Sequence, residues 1–185
     1  QFYLLYEILI RASAKKREDM KKYYPMFQRY YRYMGGKTEG STTARLGSGM
    51  LTVYDYFYNA SGMDDYPPQV AVHRMGLENC VSPVCSNVHF IRIAKIMKQF
   101  AILCGCTGDI AEYEEDIRNV SEAFLANSWD QESGYFSYVL HTPEGTEILR
   151  TDTGENYNKG VDGVTPLIAG ICTKEQQKQL LKHLK

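Results

Sequence analysis

Several absences narrow the class of this chain. Net charge is only −1 and the basic residues form no stripe, so nucleic acid is not expected as a partner. The apolar runs are far shorter than a bilayer span, so no membrane partner is expected either. The chain has no initiator Met, and no basic start leads to a cleavage site, so no signal peptide is visible. The five cysteines, Cys80, Cys85, Cys104, Cys106 and Cys172, are odd in number and lack the paired C-x-x-C spacing of a zinc site. His73 and His89 show no ligand-like spacing, so neither a metal nor a cofactor is expected. The thiols read as free and buried, in a reducing, cytoplasmic compartment, with one Cys80–Cys85 disulfide as the alternative.

What is present fits one globular domain or part of a larger one. Hydrophobic residues make up 44% and charged residues 23%, enough apolar material for a core. Tyrosine is abundant, at 15 against a single Trp. A phenol has a flat apolar face and a polar tip, so the excess suits either aromatic packing between helices or a cleft that stacks sugar rings.

Periodicity points to helices. Residues 2–13 place Phe2, Leu5, Ile8, Leu9 and Ala12 on one stripe. Residues 16–34 continue in helical pattern with a break or new start at Pro25, since proline suits a first turn and damages an interior. Gly35-Gly36 closes that segment, and 36–50 reads as loop. Residues 51–82 lack helical periodicity over most of their length, yet they are rich in aromatics, which suits a structured functional loop. Residues 86–103 are apolar on more than one side, predicting a helix buried all round. The next helix, 110–126, has a single stripe of Ile110, Tyr113, Ile117, Val120 and Phe124, with Asp109 and Glu112 as a capping box. A buried helix followed by a one-sided one suits a double ring of helices, and equally a simple bundle. Alternating aromatics after Gly134 predict a strand, with 146–151 as its hairpin partner across Pro143-Glu144-Gly145. Residues 164–171 form an apolar segment around Pro166, and Thr173 with Gln176 caps a last helix. Gln1 opens straight into an apolar run, and the chain stops at Lys185 within a helical pattern, so both ends are expected to be cut.

The chemistry concentrates in the aromatic loop. Asp64 and Asp65 are adjacent acids beside Tyr66 and Pro67. Lost solvation and mutual repulsion raise a carboxyl's pKa, which equips it as a general acid; turn or capping acids are the plainer alternative. The stretch Ser61-Gly62-Met63-Asp64-Asp65-Tyr66-Pro67 resembles the Ser-Gly-x-Asp-Asx-x-Pro loop of family 63 glycoside hydrolases and their trehalase and mannosylglycerate hydrolase relatives. Trp129-Asp130-Gln131-Glu132-Ser133-Gly134-Tyr135-Phe136 and Gly163-Val164-Thr165-Pro166-Leu167-Ile168-Ala169-Gly170-Ile171 are similar to two later segments of that group, in the same order. The resemblance covers residues 54–185; the first 50 residues share only a helical pattern. Asn59-Ala60 before Ser-Gly, and Pro68 after the loop proline, depart from it.

The resemblance implies an all-α fold: a partial (α/α)6 toroid or barrel, with a small β-hairpin near 134–151. On that basis residues 1–185 form a single partial catalytic domain, about half of the barrel. It also implies inverting hydrolysis of an α-glycosidic bond, with Asp64 as general acid and a carbohydrate as partner. The second carboxylate, which activates water, lies in the family beyond the segment matched by 163–171, and so outside this chain; Glu155 is the substitute within it. Candidate substrate-binding residues are Tyr56, Asn59, Asp65, Tyr66 and Arg74, with Arg74 otherwise expected to pair with Glu78. Trp129 is read as core. Trehalose or mannosylglycerate are alternative substrates, and a non-catalytic carbohydrate-binding or structural toroid is the alternative function.

Overall fold

The computed structural model describes residues 1–52 and 66–184. The chain is mostly helical with two small antiparallel sheets. Helix α1 runs Phe2–Arg11, α2 Ala14–Met20 and α3 Tyr24–Met34, with a 3-10 turn at Lys21–Tyr23 between the last two. Pro25 falls in the first turn of α3, where its missing N–H costs nothing. Gly36 leaves the helix with φ 68°, a left-handed conformation that residues with a Cβ rarely take.

Helix α4, Pro67–Arg74, lies inside the stretch expected to be irregular. Its two prolines occupy the first turn, so they start the helix instead of breaking it. Helix α5, Val84–Cys104, is the centre of the molecule. It packs against α1, α3 and α6 (Ile110–Ser128), and its core side chains, among them Phe90, Ile91, Met97 and Phe100, are fully buried. Each such side chain contributes about 1.5–3 kcal/mol of burial. The expected burial all round holds along most of 86–103, but Gln99 and Ile102 near its end are exposed. Helix α6 is one-sided as expected: Tyr113, Val120 and Phe124 are buried.

The capping box expected at α6 does not form. Asp109 makes no cap hydrogen bond, because Thr107–Asp109 is a 3-10 turn that leads directly into the helix. Its carboxylate instead accepts from the Tyr24 hydroxyl at 3.0 Å, and Glu112 is taken by Arg32. At the C-terminal helix the box does form: Thr173 and Gln176 bond reciprocally ahead of Lys174–His183.

The strands are short. β1 (Val81–Ser82), β4 (Val139–Thr142) and β5 (Gly145–Ile148) make one sheet in the order β1-β4-β5. β2 (Trp129–Asp130) and β3 (Tyr135–Phe136) make the other. The β4–β5 hairpin turns where Pro143-Glu144 stand, with Thr142 opposite Gly145. The partnership of β1 with β4 was not expected. Two short helices follow, α7 (Val161–Val164) and α8 (Pro166–Ala169), where an apolar segment was expected, and α9 is Lys174–His183. Helix α8 packs on α5.

Two apolar clusters result. One joins α1, α3, α5 and α6 through Phe2, Tyr31, Phe90, Phe100 and Tyr113. The other joins α4, the sheets and α9 through Val72, Val88, Phe124, Phe136, Tyr138 and Leu180. Trp129 packs edge-on against Phe136 at the margin of the second cluster. All five cysteines are free, so the alternative Cys80–Cys85 disulfide is not formed. Among the described residues no helix is long and apolar enough to cross a membrane.

Candidate functional site

Asp64, Tyr56, Asn59 and Asp65 lie outside the described residues; Tyr66 and Arg74 lie within them. Tyr66 is the residue before α4, and its hydroxyl donates to Asn158 Oδ1 at 2.9 Å. Burial and the nearby Asp162 push this phenol up to about 12. The hydroxyl is therefore committed to the protein, and the half-buried ring is the part left to meet a ligand.

Asn158 belongs to a buried polar network. Its backbone N–H donates to Asn156 Oδ1 at 2.7 Å, and its Nδ2 to the Phe136 carbonyl at 3.3 Å. Asn156 in turn donates from Nδ2 to Asp130 Oδ2 at 3.1 Å and to Ser133 Oγ at 2.9 Å, and accepts from the Ser137 hydroxyl at 2.8 Å. Asp130 closes the network, accepting from Arg150 at 2.8 Å and from Ser133 at 2.6 Å. Burial works against the charge on Asp130, but these hydrogen bonds and the Arg150 guanidinium hold its carboxyl below the ordinary range. Asp130, Asn156 and Asn158 are almost wholly buried, and all of them find partners, as buried polar groups must.

Close packing fixes the segment further. A Cβ on Gly163 would lie 2.6 Å from the Asn158 carbonyl oxygen and 3.1 Å from that of Phe136. Both are backbone atoms that cannot swing aside. Gly163→Ala is expected to lower stability by about 1–3 kcal/mol, the cost of overpacking, read from a urea unfolding midpoint. A Cβ on Gly160 would lie 3.1 Å from the Tyr66 hydroxyl.

Beside this network stands a second buried acid, Asp162. Its Oδ2 accepts the Cys85 N–H at 3.3 Å, in the first turn of α5, and Thr165 donates to its Oδ1 at 3.4 Å. Complete burial pushes the carboxyl up to about 7. The buried Tyr138 hydroxyl lies near this carboxyl and the Gln69 amide, without an aligned hydrogen bond among the described residues.

Arg74 ends α4 and is exposed. The expected pairing with Glu78 does not occur: Glu78 is bound by His73, Nδ1 to Oε1, at 2.5 Å. Arg74 instead lines a hollow of about 550 Å³ together with Pro67, Val70, Ala71, Met75 and Tyr157. Glu155, the substitute second carboxylate, sits on the surface and pairs with Lys159 at 3.1 Å. The structure thus brings Tyr66 to Asn158 and Arg74 to Tyr157, and leaves Glu155 apart. Asn156, Asn158 and Asp162 were not foreseen. Within Gly154–Asn158 the sequence singles out Glu155 alone, although two asparagines flanking a tyrosine are the available signal.

The chain superposes on the crystal structure of a GH63 mannosylglycerate hydrolase from Thermus thermophilus in complex with glucose, with a TM-score of 0.66. The fold is a partial helical barrel. Identity is 18%, and the superposition covers 98% of this chain and 48% of that one, so this chain spans about half of its length. No protein-family model and no curated protein matches the sequence.

Proposed function

We propose that this chain is part of a glycoside hydrolase of inverting mechanism that acts on α-glucosides or related oligosaccharides, with Asp64 as the general acid. The observation that carries this reading is the likeness of its helical fold to a glucose-bound glycoside hydrolase, over nearly the whole chain. The Ser61–Pro67 segment adds to it, because its last two residues, Tyr66 and Pro67, open α4, the helix that lines the Arg74 hollow. Asp64 protonates the departing glycosidic oxygen. A second carboxylate, outside these 185 residues, takes a proton from water on the opposite face of the sugar. Glu155 is unsuited to that task, being solvent-facing and held by Lys159.

Asp64→Asn, made in a protein that carries both carboxylates, is expected to lower kcat by about 10²–10⁴-fold while the far-UV spectrum stays unchanged. Proton NMR of the released sugar, followed from the first turnovers, is expected to show the β-anomer from an α-glucoside. Release of the α-anomer would exclude the inverting mechanism. A mannosylglycerate substrate is the second reading, favoured by the activity named for the superposed enzyme. A panel of α-glucosides, trehalose and mannosylglycerate separates the two. Binding without hydrolysis across the whole panel would leave a carbohydrate-binding toroid.

A further inference from the structure

The hollow at the end of α4 combines features that suit a sugar ring. Its lining comes from Pro67, Val70 and Ala71 of α4, from Met75, and from Tyr157, a half-buried residue that also packs against the second apolar cluster. Arg74 points five N–H donors from this lining, and no ion pair or hydrogen bond occupies it among the described residues, since Glu78 is held by His73. Pyranose rings offer an apolar C–H face and a rim of hydroxyls. An aromatic face with a free guanidinium beside it matches both.

Tyr157 is also unusually well held for a loop residue. Its neighbours on either side, Asn156 and Asn158, are locked by the buried network. Ionised Asp130 only accepts, so Asn156 must turn its Nδ2 toward that carboxylate and its Oδ1 toward the Asn158 N–H. The Phe136 carbonyl likewise only accepts, so Asn158 must present Oδ1 to the Tyr66 hydroxyl. Each amide has a single consistent orientation. The segment bearing Tyr157 and the start of α4 are thereby joined, and both contribute to the lining of the hollow. Ring placement within a fraction of an ångström is what a binding platform requires, and a rigid supporting shell supplies it.

We infer that this hollow is a pyranose subsite, with the Tyr157 ring as stacking face, Arg74 as the donor to sugar hydroxyls, and Asn156 and Asn158 as positioning residues. The inference rests on the glycoside hydrolase reading and extends it to residues that no motif marks.

Saturation-transfer NMR with maltose and methyl α-glucoside, on the Asp64→Asn form of the protein that carries both carboxylates, tests it. Transfer to the sugar ring protons is expected. Tyr157→Ala and Arg74→Gln are each expected to weaken the fitted affinity about tenfold. Both side chains are at least partly exposed, and thermal melts within a few degrees of the Asp64→Asn form are expected to show the fold retained. Tyr66→Phe removes only the hydroxyl held by Asn158, so a weakened affinity with a melt lowered by no more than a few degrees is expected and reports positioning. Full affinity in the Tyr157 and Arg74 variants would overturn the subsite while leaving the hydrolase reading intact. Absence of any sugar binding by the Asp64→Asn form would also overturn the subsite, whereas the hydrolase reading is judged separately by the anomer assay.

Discussion

Replacing Asp162 with Asn is expected to stabilise the chain at pH 8 and to remove a pH-dependent loss of stability. Asp162 is completely buried, and among the described residues no ammonium or guanidinium acts on its carboxyl; it accepts from the Cys85 N–H and from Thr165, with the Tyr138 phenol nearby. The N-terminus of α5 offers partial positive charge, which offsets only part of the desolvation. The carboxyl therefore rises from 3.8 to about 7. The sign follows from linkage. Below about pH 4 both folded and unfolded states are protonated, and stability is fully present. Between about pH 4 and 7 the unfolded state gives up the proton while the folded state keeps it, so stability falls as pH rises; above about 7 the loss is complete. A shift of this size amounts to roughly 4 kcal/mol. The Asn side chain keeps an acceptor for the Cys85 N–H, and its amide nitrogen, in the place of Oδ1, can donate to the Thr165 hydroxyl oxygen. Urea midpoints at pH 5 and pH 8 check the effect as a difference between variant and wild type. That difference matters because half-buried His89, whose pKa is lowered by lost solvation and by Arg92, gives a pH dependence of the opposite sign. Equal pH slopes in the two proteins would show that Asp162 does not hold a proton in the folded state.

The elements legible in the sequence were those whose causes are local. The stripe of α6, the all-round apolar character of α5, the break at Pro25 and the Thr173–Gln176 box each depend on residues within a turn or two. Helix α4 was missed because Pro67, Pro68 and the preceding Gly62 read as punctuation, when two of the three begin a helix. The Arg74–Glu78 pairing fails for a related reason. An i,i+4 pair needs continuous helix, and α4 stops at Arg74 before Gly76 turns with φ 68°, which brings Glu78 round to His73.

The candidate site divides along the same line. Its sequence marks, Ser61–Pro67 and Gly163–Ile171, are contiguous motifs, and the superposition supports the fold that they implied. Asn156 and Asn158 carry no local mark. Their roles come from Asp130, Ser133, Phe136 and Tyr66, which stand from 22 to 92 positions away and meet them only after the two small sheets and α4 have formed. An amide's sequence neighbours do not reveal whether it will be a solvated turn residue or the joint of a buried network.

Asp116→Ala is expected to be the most damaging single substitution away from the site. Asp116 is 3% exposed on the inner side of α6. It accepts from Arg45 at 2.7 Å, pairs with Lys37, and accepts a hydrogen bond from the Tyr31 hydroxyl. Tyr31 is wholly buried, stacked on Phe90 and edge-on to Tyr113. Desolvation, and then the negative charge of Asp116, push its phenol far above the ordinary range, so it serves as a donor at every accessible pH. Removing the carboxylate strands a buried hydroxyl and leaves Arg45 without its anion, and leaves Lys37 with only Glu112. Breaking a buried pair from one side costs about 3–5 kcal/mol, which for a chain of this size lowers Tm by roughly 6–20 °C. Tyr31→Phe removes one hydrogen bond and leaves both cations paired, so a loss of about 1 kcal/mol is expected. Glu114→Ala breaks only the exposed Lys98 pair and is expected to cost under about 1 kcal/mol. The ordering of the three melts is the decisive measurement. If Asp116→Ala were no more harmful than Glu114→Ala, the junction of α3, the 36–50 loop and α6 would be held by its aromatic packing alone, and the ion pairs would be incidental to it.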